Sequence, residues 1–394
     1  MGSLVRRLDL VLMPTLALVY LTHTLDRANL GNAKSGNLEK DLGLKGNQYS
    51  LVLMLFYIPY AIFNIPATIL AKRFNPAMVI PLLVLGWGGL AMLTAAVENF
   101  HGLMTCRIIM GMMEAGFMPC STFYCSMFYT RKELALRLSM FFCMGFIAGA
   151  ISGLISFSVF QWHKALKGWQ YLFLIEGSLT VEIALWALLW LPRSVQASHL
   201  KVKKSEFFSW VEGIHVLKDW KVWTFAFSAL LYGVGVASSS NFLPVMIKRL
   251  TDDTVQASLY TIGPNLTAVV IQLTTCYLSD RMQQRAWFSM GSILVSMIGW
   301  ILLGSLDLVN HLTYLLTFGT FTPALLIPAW VGVNTPSASG RAVALGLVSM
   351  FQNLGGIISS AVYRAQDAPV YRPALITVSD FQGVFIVICL GQLP

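Results

Sequence analysis

The chain has 394 residues, of which 56% are apolar and only 11% charged, against roughly 25% charged in an ordinary soluble domain. So few charges cannot cover the surface of a soluble fold this long, which argues against a cytosolic enzyme, a disordered chain or a nucleic-acid binder. The net charge of +9 is informative through its position along the chain rather than through its sum.

The apolar residues come in runs of about twenty, the length that crosses a bilayer as a helix. Six runs fall near 9–29, 48–71, 77–97, 103–128, 136–160 and 171–191. A polar stretch, about 193–220, follows with Arg193, Lys201, Lys203, Lys204, Lys218 and, at its far edge, Lys221. Six more runs fall near 222–247, 256–278, 286–304, 311–333, 342–363 and 375–393, the last interrupted by Asp380 and Gln382. The first run follows Arg6 and Arg7 but ends in Leu25-Asp26-Arg27 rather than in a small-residue cleavage site, so it reads as a retained helix and not a signal peptide. The fold class expected is an all-α integral membrane protein of twelve transmembrane helices in two pseudo-symmetric six-helix halves. Residues 1–192 form the N-terminal half, 193–220 a cytosolic central loop and 221–394 the C-terminal half.

Basic residues set the orientation. With the N-terminus in the cytosol, 16 Lys and Arg lie on the cytosolic side and 10 on the other, with Arg107 inside a span. Both termini are therefore expected in the cytosol. The six cysteines all lie in apolar segments without zinc spacing and read as buried thiols. The six histidines are isolated in sequence, so no metal box or catalytic cluster points to a membrane enzyme. Gly145, Gly149 and Gly153 recur every four residues in the fifth span and allow close helix contact. Asn265-Leu266-Thr267 is a glycosylation sequon inside the eighth span and is expected to be unmodified.

Charges inside spans carry the function. Each costs about 2.5–3.5 kcal/mol at mid-membrane on insertion scales and so faces a cavity or a partner. Arg107 and Glu114 stand seven residues apart in the fourth span, two turns along one helix face. That is too far for a simple intrahelical pair, so each needs another partner. Asp26 and Arg27 close the first span. If Asp26 and Glu114 share a partly dry cavity, desolvation and mutual repulsion make them protonatable. Arg107 keeps its charge at any usable pH and suits a carboxylate.

Two six-helix halves joined by a basic loop resemble the major facilitator superfamily. Tyr277-Leu278-Ser279-Asp280-Arg281-Met282-Gln283-Gln284-Arg285 resembles its loop motif, with Cys276 in the glycine place. A weaker first copy ends Ala71-Lys72-Arg73 and lacks the Asp. The resemblance narrows with Leu25-Asp26-Arg27-Ala28-Asn29-Leu30-Gly31-Asn32-Ala33, which is similar to the first-helix signature of the anion:cation symporter family. Arg107-x3-Gly111-x2-Glu114-Ala115-Gly116 with Pro119, Phe128-Tyr129-Thr130-Arg131-Lys132-Glu133 with Arg137, and Gly168-Trp169-x-Tyr171-x-Phe173-x2-Glu176-Gly177 match it too. Asn353-x-Gly355-Gly356 and Asp367-Ala368-Pro369-x-Tyr371 resemble its fungal branch of allantoate, nicotinate and pantothenate permeases.

That resemblance implies proton coupling by Asp26 and Glu114, gating by Arg27, and a substrate-anion contact at Arg107. It places Tyr57, Tyr60 and Asn353 at cavity-lining positions and assigns Asp280, Arg281 and Arg285 to a gating latch between the halves. Glu176 is expected to be structural. The function expected is proton-coupled symport of a small organic carboxylate by alternating access, with the proton gradient as energy source and no cofactor, metal or nucleic acid. The partners expected are the substrate anion, protons and lipid, for a monomer in the plasma membrane. Export of a metabolite by the same fold is the alternative, and a non-transporting nutrient receptor a weaker one.

Overall fold

The computed structural model describes residues 2–35, 37–129, 134–162, 166–192, 210–247, 262–305, 315–316, 318–367 and 371–392. The Thr130-Arg131-Lys132-Glu133 part of the motif lies outside the described residues, as do Arg193 and the loop lysines 201, 203 and 204, and Ala368-Pro369. The described chain carries helices and no strand. In order they are α1 (Gly2–Ser35), α2 (Leu38–Asp41), α3 (Gln48–Phe74), α4 (Pro76–Thr94), α5 (Phe100–Glu114), α6 (Phe117–Phe128), α7 (Leu134–Phe160) and α8 (Gly168–Trp190). After the central stretch come α9 (Trp210–Val216), α10 (Trp220–Ile247), α11 (Ile262–Met282), α12 (Arg285–Ser305), α13 (Pro323–Asn334), α14 (Ala338–Val362) and α15 (Arg372–Gly391).

Among the described residues, eight helices are long and apolar enough to cross a membrane by length and composition. The other expected spans fall short for identifiable reasons. The first begins in residues whose side chains lie outside the described ones, and α11 carries Asn265, Thr267, Gln272, Thr274 and Thr275. The tenth lies partly outside the described residues. The fourth corrects the single 103–128 run read from the sequence: it is two helices, α5 and α6, broken at Ala115-Gly116. Pro119 has no N–H for the carbonyl of Ala115, which loosens the ladder there. Gly116 lets the broken turn press on Ala67 of α3, a contact that a Cβ would block. The break leaves Glu114 at the end of α5.

α1 packs on α7 and α8, α3 on α5, and α4 on α5 and α8. Later in the chain α10 packs on α14 and α15, and α12 on α15. Two further interfaces, α3 with α14 and α7 with α11, join the helices before the central stretch to those after it. The glycines of α7 serve different neighbours. Gly145 admits Tyr20 of α1, and Gly149 admits Asn265 of α11, so that sequon asparagine is packed between helices.

The tightest crossing is α10 on α14. A Cβ on Gly355 would lie 2.7 Å from the carbonyl oxygen of Leu230, and one on Gly233 would strike the carbonyl of Gln352. Gly355→Val is expected to cost about 1–3 kcal/mol through overpacking. That appears as a lower unfolding temperature of the detergent-solubilised protein. Gly291→Ala, where a Cβ meets nothing within 4 Å, is expected to leave that temperature unchanged or slightly raised.

Candidate functional site

An ionic group in an apolar bundle needs a partner, and the first question is which charges have one. Glu114 at the end of α5 is buried, with Oε1 2.8 Å from Arg27 Nε and 2.9 Å from His23 Nε2. His23 stands four residues before Arg27, the spacing that puts both side chains on one face of α1. The Arg27 guanidinium lies over the rings of Tyr60 at 4.7 Å and Phe56 at 5.6 Å, a favourable site for a cation. His23 sits among Tyr20, Phe117 and Trp87, the first stacked on it at 5.6 Å.

Arg107, two turns back along α5, is also buried but is not paired with a carboxylate among the described residues. Its Nη1 reaches only the Met110 sulfur at 3.7 Å, and its guanidinium lies 5.7 Å from the Phe173 ring centre. Nε and Nη2 are buried with no hydrogen-bond partner among the described residues. Such N–H groups are costly to leave unmade. Asp26 is buried as well. Its Oδ2 accepts from Thr180 Oγ1 of α8 at 3.2 Å, and its Oδ1 has no partner among the described residues. This arrangement has the makings of an anion site: one guanidinium neutralised, a second buried and unsatisfied, and a second carboxylate nearby.

The other expected residues lie elsewhere. Tyr57 bridges three helices: its hydroxyl accepts from Asn241 Nδ2 of α10 at 3.0 Å, and its ring leaves no room for a Cβ on Gly356 of α14. Asn353 bonds within its own helix, Nδ2 donating to the Ser349 carbonyl at 2.7 Å. Asp280 and Arg285 face each other across the α11–α12 turn at 3.6 Å, whereas Arg281 is exposed. A contact across the two groups of helices comes instead from the weaker motif copy, where Lys72 Nζ of α3 donates to Ser339 Oγ of α14 at 2.7 Å. Arg137 of α7 grips Asp9 of α1 with two nitrogens, at 2.8 and 3.0 Å.

Sequence reasoning missed His23, which it counted as an isolated histidine. Its spacing from Asp26 and Arg27 was the available signal. Sequence reasoning expected a structural role for Glu176, which is fully buried beside Ser152 of α7.

Comparison with known proteins places this bundle. The Major Facilitator Superfamily profile matches residues 16–360. The chain belongs to the major facilitator superfamily. It is 41% identical to the MFS-type transporter efuF of Hormonema carpetanum, over 99% of this chain and 84% of that protein. It is 27% identical to the high-affinity nicotinic acid transporter of Saccharomyces cerevisiae, over 98% of this chain and 76% of that one. Its fold is similar to that of the human organic anion transporter MFSD10, with a TM-score of 0.71 at 13% identity, covering 98% of this chain and 99% of that one. This facilitator is thus a multi-pass membrane transporter of a small molecule and not an enzyme.

The Arg27–Glu114 contact generates a stability test. Removing Arg27 strands a buried carboxylate, and breaking a buried pair in this way costs up to about 3–5 kcal/mol. Because Arg27 keeps 27% side-chain exposure, the low end is expected for Arg27→Ala. The double variant Arg27→Ala/Glu114→Gln is expected to regain part of the loss. Unfolding temperatures of the four proteins in detergent close that double-mutant cycle.

Proposed function

We propose that this facilitator is a proton-coupled symporter of a small organic carboxylate, working by alternating access at the plasma membrane with both termini in the cytosol. The observation that carries the reading is the buried Arg107 guanidinium with two unsatisfied nitrogens. A planar carboxylate satisfies two parallel N–H donors at once, and a guanidinium does not shed its proton to relieve the burial. The named activity of the yeast relative, nicotinic acid transport, supports a monocarboxylate of that kind.

The proposed cycle follows from charge balance. Glu114 holds Arg27 in the empty protein. The substrate carboxylate enters and pairs with Arg107, lowering the positive field that stabilises ionised acids nearby. Protons from the outer solution then neutralise Asp26 or Glu114. Protonated Glu114 releases its hold on Arg27, and the two groups of helices rock about the α3–α14 and α7–α11 interfaces. Opening on the cytosolic side returns proton and anion to water. Tyr57 and Tyr60 line the route on α3 and Asn353 on α14, and the Asp280–Arg285 turn, with Arg281 beside it, takes part in the cytosolic latch. Binding of anion and proton each favours the other, as linkage requires.

Uptake of labelled nicotinate, pantothenate, allantoate and sugar acids at two external pH values tests the reading. At least one is expected to accumulate faster at the lower pH. Arg107→Ala is expected to abolish that uptake with surface delivery and unfolding temperature retained, and normal uptake by this variant removes the anion-site assignment. Glu114→Gln is expected to keep exchange of internal for external substrate while losing accumulation driven by a pH gradient.

A further inference from the structure

Once Arg27 is matched to Glu114, two buried carboxylates remain among the described residues: Asp26 on α1 and Glu176 on α8. Glu176 is fully buried. Its Oε1 accepts from Ser152 Oγ of α7 at 3.4 Å, and Ser152 Oγ accepts from Asn32 Nδ2 of α1 at 2.7 Å. Its Oε2 has no partner among the described residues, and neither has Asp26 Oδ1. Asn29 of α1 faces Glu176 with both amide atoms buried and outside hydrogen-bonding geometry. Thr180 lies one turn beyond Glu176. Its hydroxyl is 3.2 Å from Asp26 Oδ2 and 2.9 Å from the Glu176 carbonyl oxygen, and its single proton serves one of them at a time.

The charges around this pocket are few. Asp26 lies toward Glu176 from α1, α4 contains no Asp, Glu, Lys, Arg or His but turns the Trp87 indole N–H toward Asp26, and α7 brings Ser152. Asp26 itself faces Glu114 and Arg107 of α5. Among the described residues, no Lys, Arg or His nitrogen lies within ion-pair distance of Asp26 or Glu176. Two ionised carboxylates in so dry a place repel each other, and one of them keeps a proton instead. The unsatisfied acceptors on both acids are where such a proton has somewhere to go.

We infer that Asp26 and Glu176 act as one proton-holding carboxyl pair, with Glu176 the coupling partner that Asp26 needs. The inference rests on the proton-coupled reading above. One proton resides on the pair in the empty protein. When an anion neutralises Arg107, the ionised member loses the positive field that Arg107 exerts on it and takes a second proton from hydronium in the outer solution. One O–H bond forms, and the same proton leaves to water on the opposite side when the anion departs. Glu176 touches no substrate and acts through Asp26, as a positioning residue.

Infrared difference spectroscopy of the purified, substrate-free protein across pH tests this, because a protonated carboxyl has a C=O stretch that an ionised one lacks. The wild type is expected to show such a band at neutral pH, and Glu176→Gln to lose it. Asp26→Asn leaves Glu176 in place and removes the repulsion. It is expected to move the midpoint of the remaining band down by more than about one pH unit, the scale of coupled titration. A band that survives Glu176→Gln unchanged, or a midpoint indifferent to Asp26→Asn, overturns the pair. Loss of the wild-type band on replacing potassium with sodium salts overturns it in favour of a cation site. For coupling itself, Glu176→Gln is expected to flatten the pH dependence of labelled nicotinate uptake, and an unchanged profile overturns that role. The spectra need no substrate, so they stand or fall separately from the assignment of the transported anion.

Discussion

The contact between Arg27 and Glu114 fixes how every other charge in the bundle must be balanced. At 2.8 Å with the carboxylate buried, it removes one guanidinium and one acid from consideration. What remains is uneven: Arg107 without a carboxylate, and Asp26 and Glu176 without a cation within ion-pair distance among the described residues. A soluble protein can leave such imbalance to water. In a bundle surrounded by hydrocarbon the cost is several kcal/mol per unmatched group. It is tolerated where a ligand or a proton is going to supply what is missing.

The fold brings the imbalance about through local breaks in regular structure. α1 puts His23, Asp26 and Arg27 within four residues of one another. α5 stops at Glu114 because Pro119 and Gly116 interrupt the helix that would otherwise continue into α6. A carboxylate at such a break is held by side chains from a neighbouring helix more than by its own. Broken helices are tolerated at membrane depth when they are buried in protein or line a cavity, which is the setting proposed here for the substrate.

Much of this was legible in the sequence. The helical membrane fold followed from apolar run length, and the burial of Arg107, Asp26 and Glu114 from their places inside apolar runs. The break within the fourth span was not legible from hydropathy, because Ala115, Gly116 and Pro119 leave the apolar run intact. The partner of Glu114 was not legible because residues 27 and 114 approach only through tertiary packing of α1 on the rest of the bundle. His23 was passed over because histidines were weighed as metal ligands rather than as neighbours of Asp26 and Arg27 on a helix. The two copies of the loop motif differ in what they touch. The better motif match, Asp280 with Arg285, makes its contact across a turn, whereas the poorer copy supplies Lys72, which reaches Ser339 on α14. A motif records residue types at a spacing, and the helix across from it decides which of them finds a partner.

That division bears on how the two groups of helices are able to move. The interfaces α3–α14 and α7–α11 rest on close packing at small residues, such as Gly149 against Asn265 and Gly356 against Tyr57. Among the described residues, the hydrogen bonds that cross between the two groups of helices include Lys72 to Ser339, between α3 and α14, and Asn241 to Tyr57, between α10 and α3. A neutral hydrogen bond such as Tyr57–Asn241 contributes about 1 kcal/mol net and one from a charged donor such as Lys72 about 1.5–3 kcal/mol, so the joints are cheap to open compared with the buried charges at the centre. In the proposed cycle, therefore, the central charge balance sets which arrangement is populated, and the interfaces merely permit the change. A ligand shifts such an equilibrium only through its different affinity for the two arrangements. An anion that satisfies Arg107 in one arrangement and leaves it unsatisfied in the other has that difference built in.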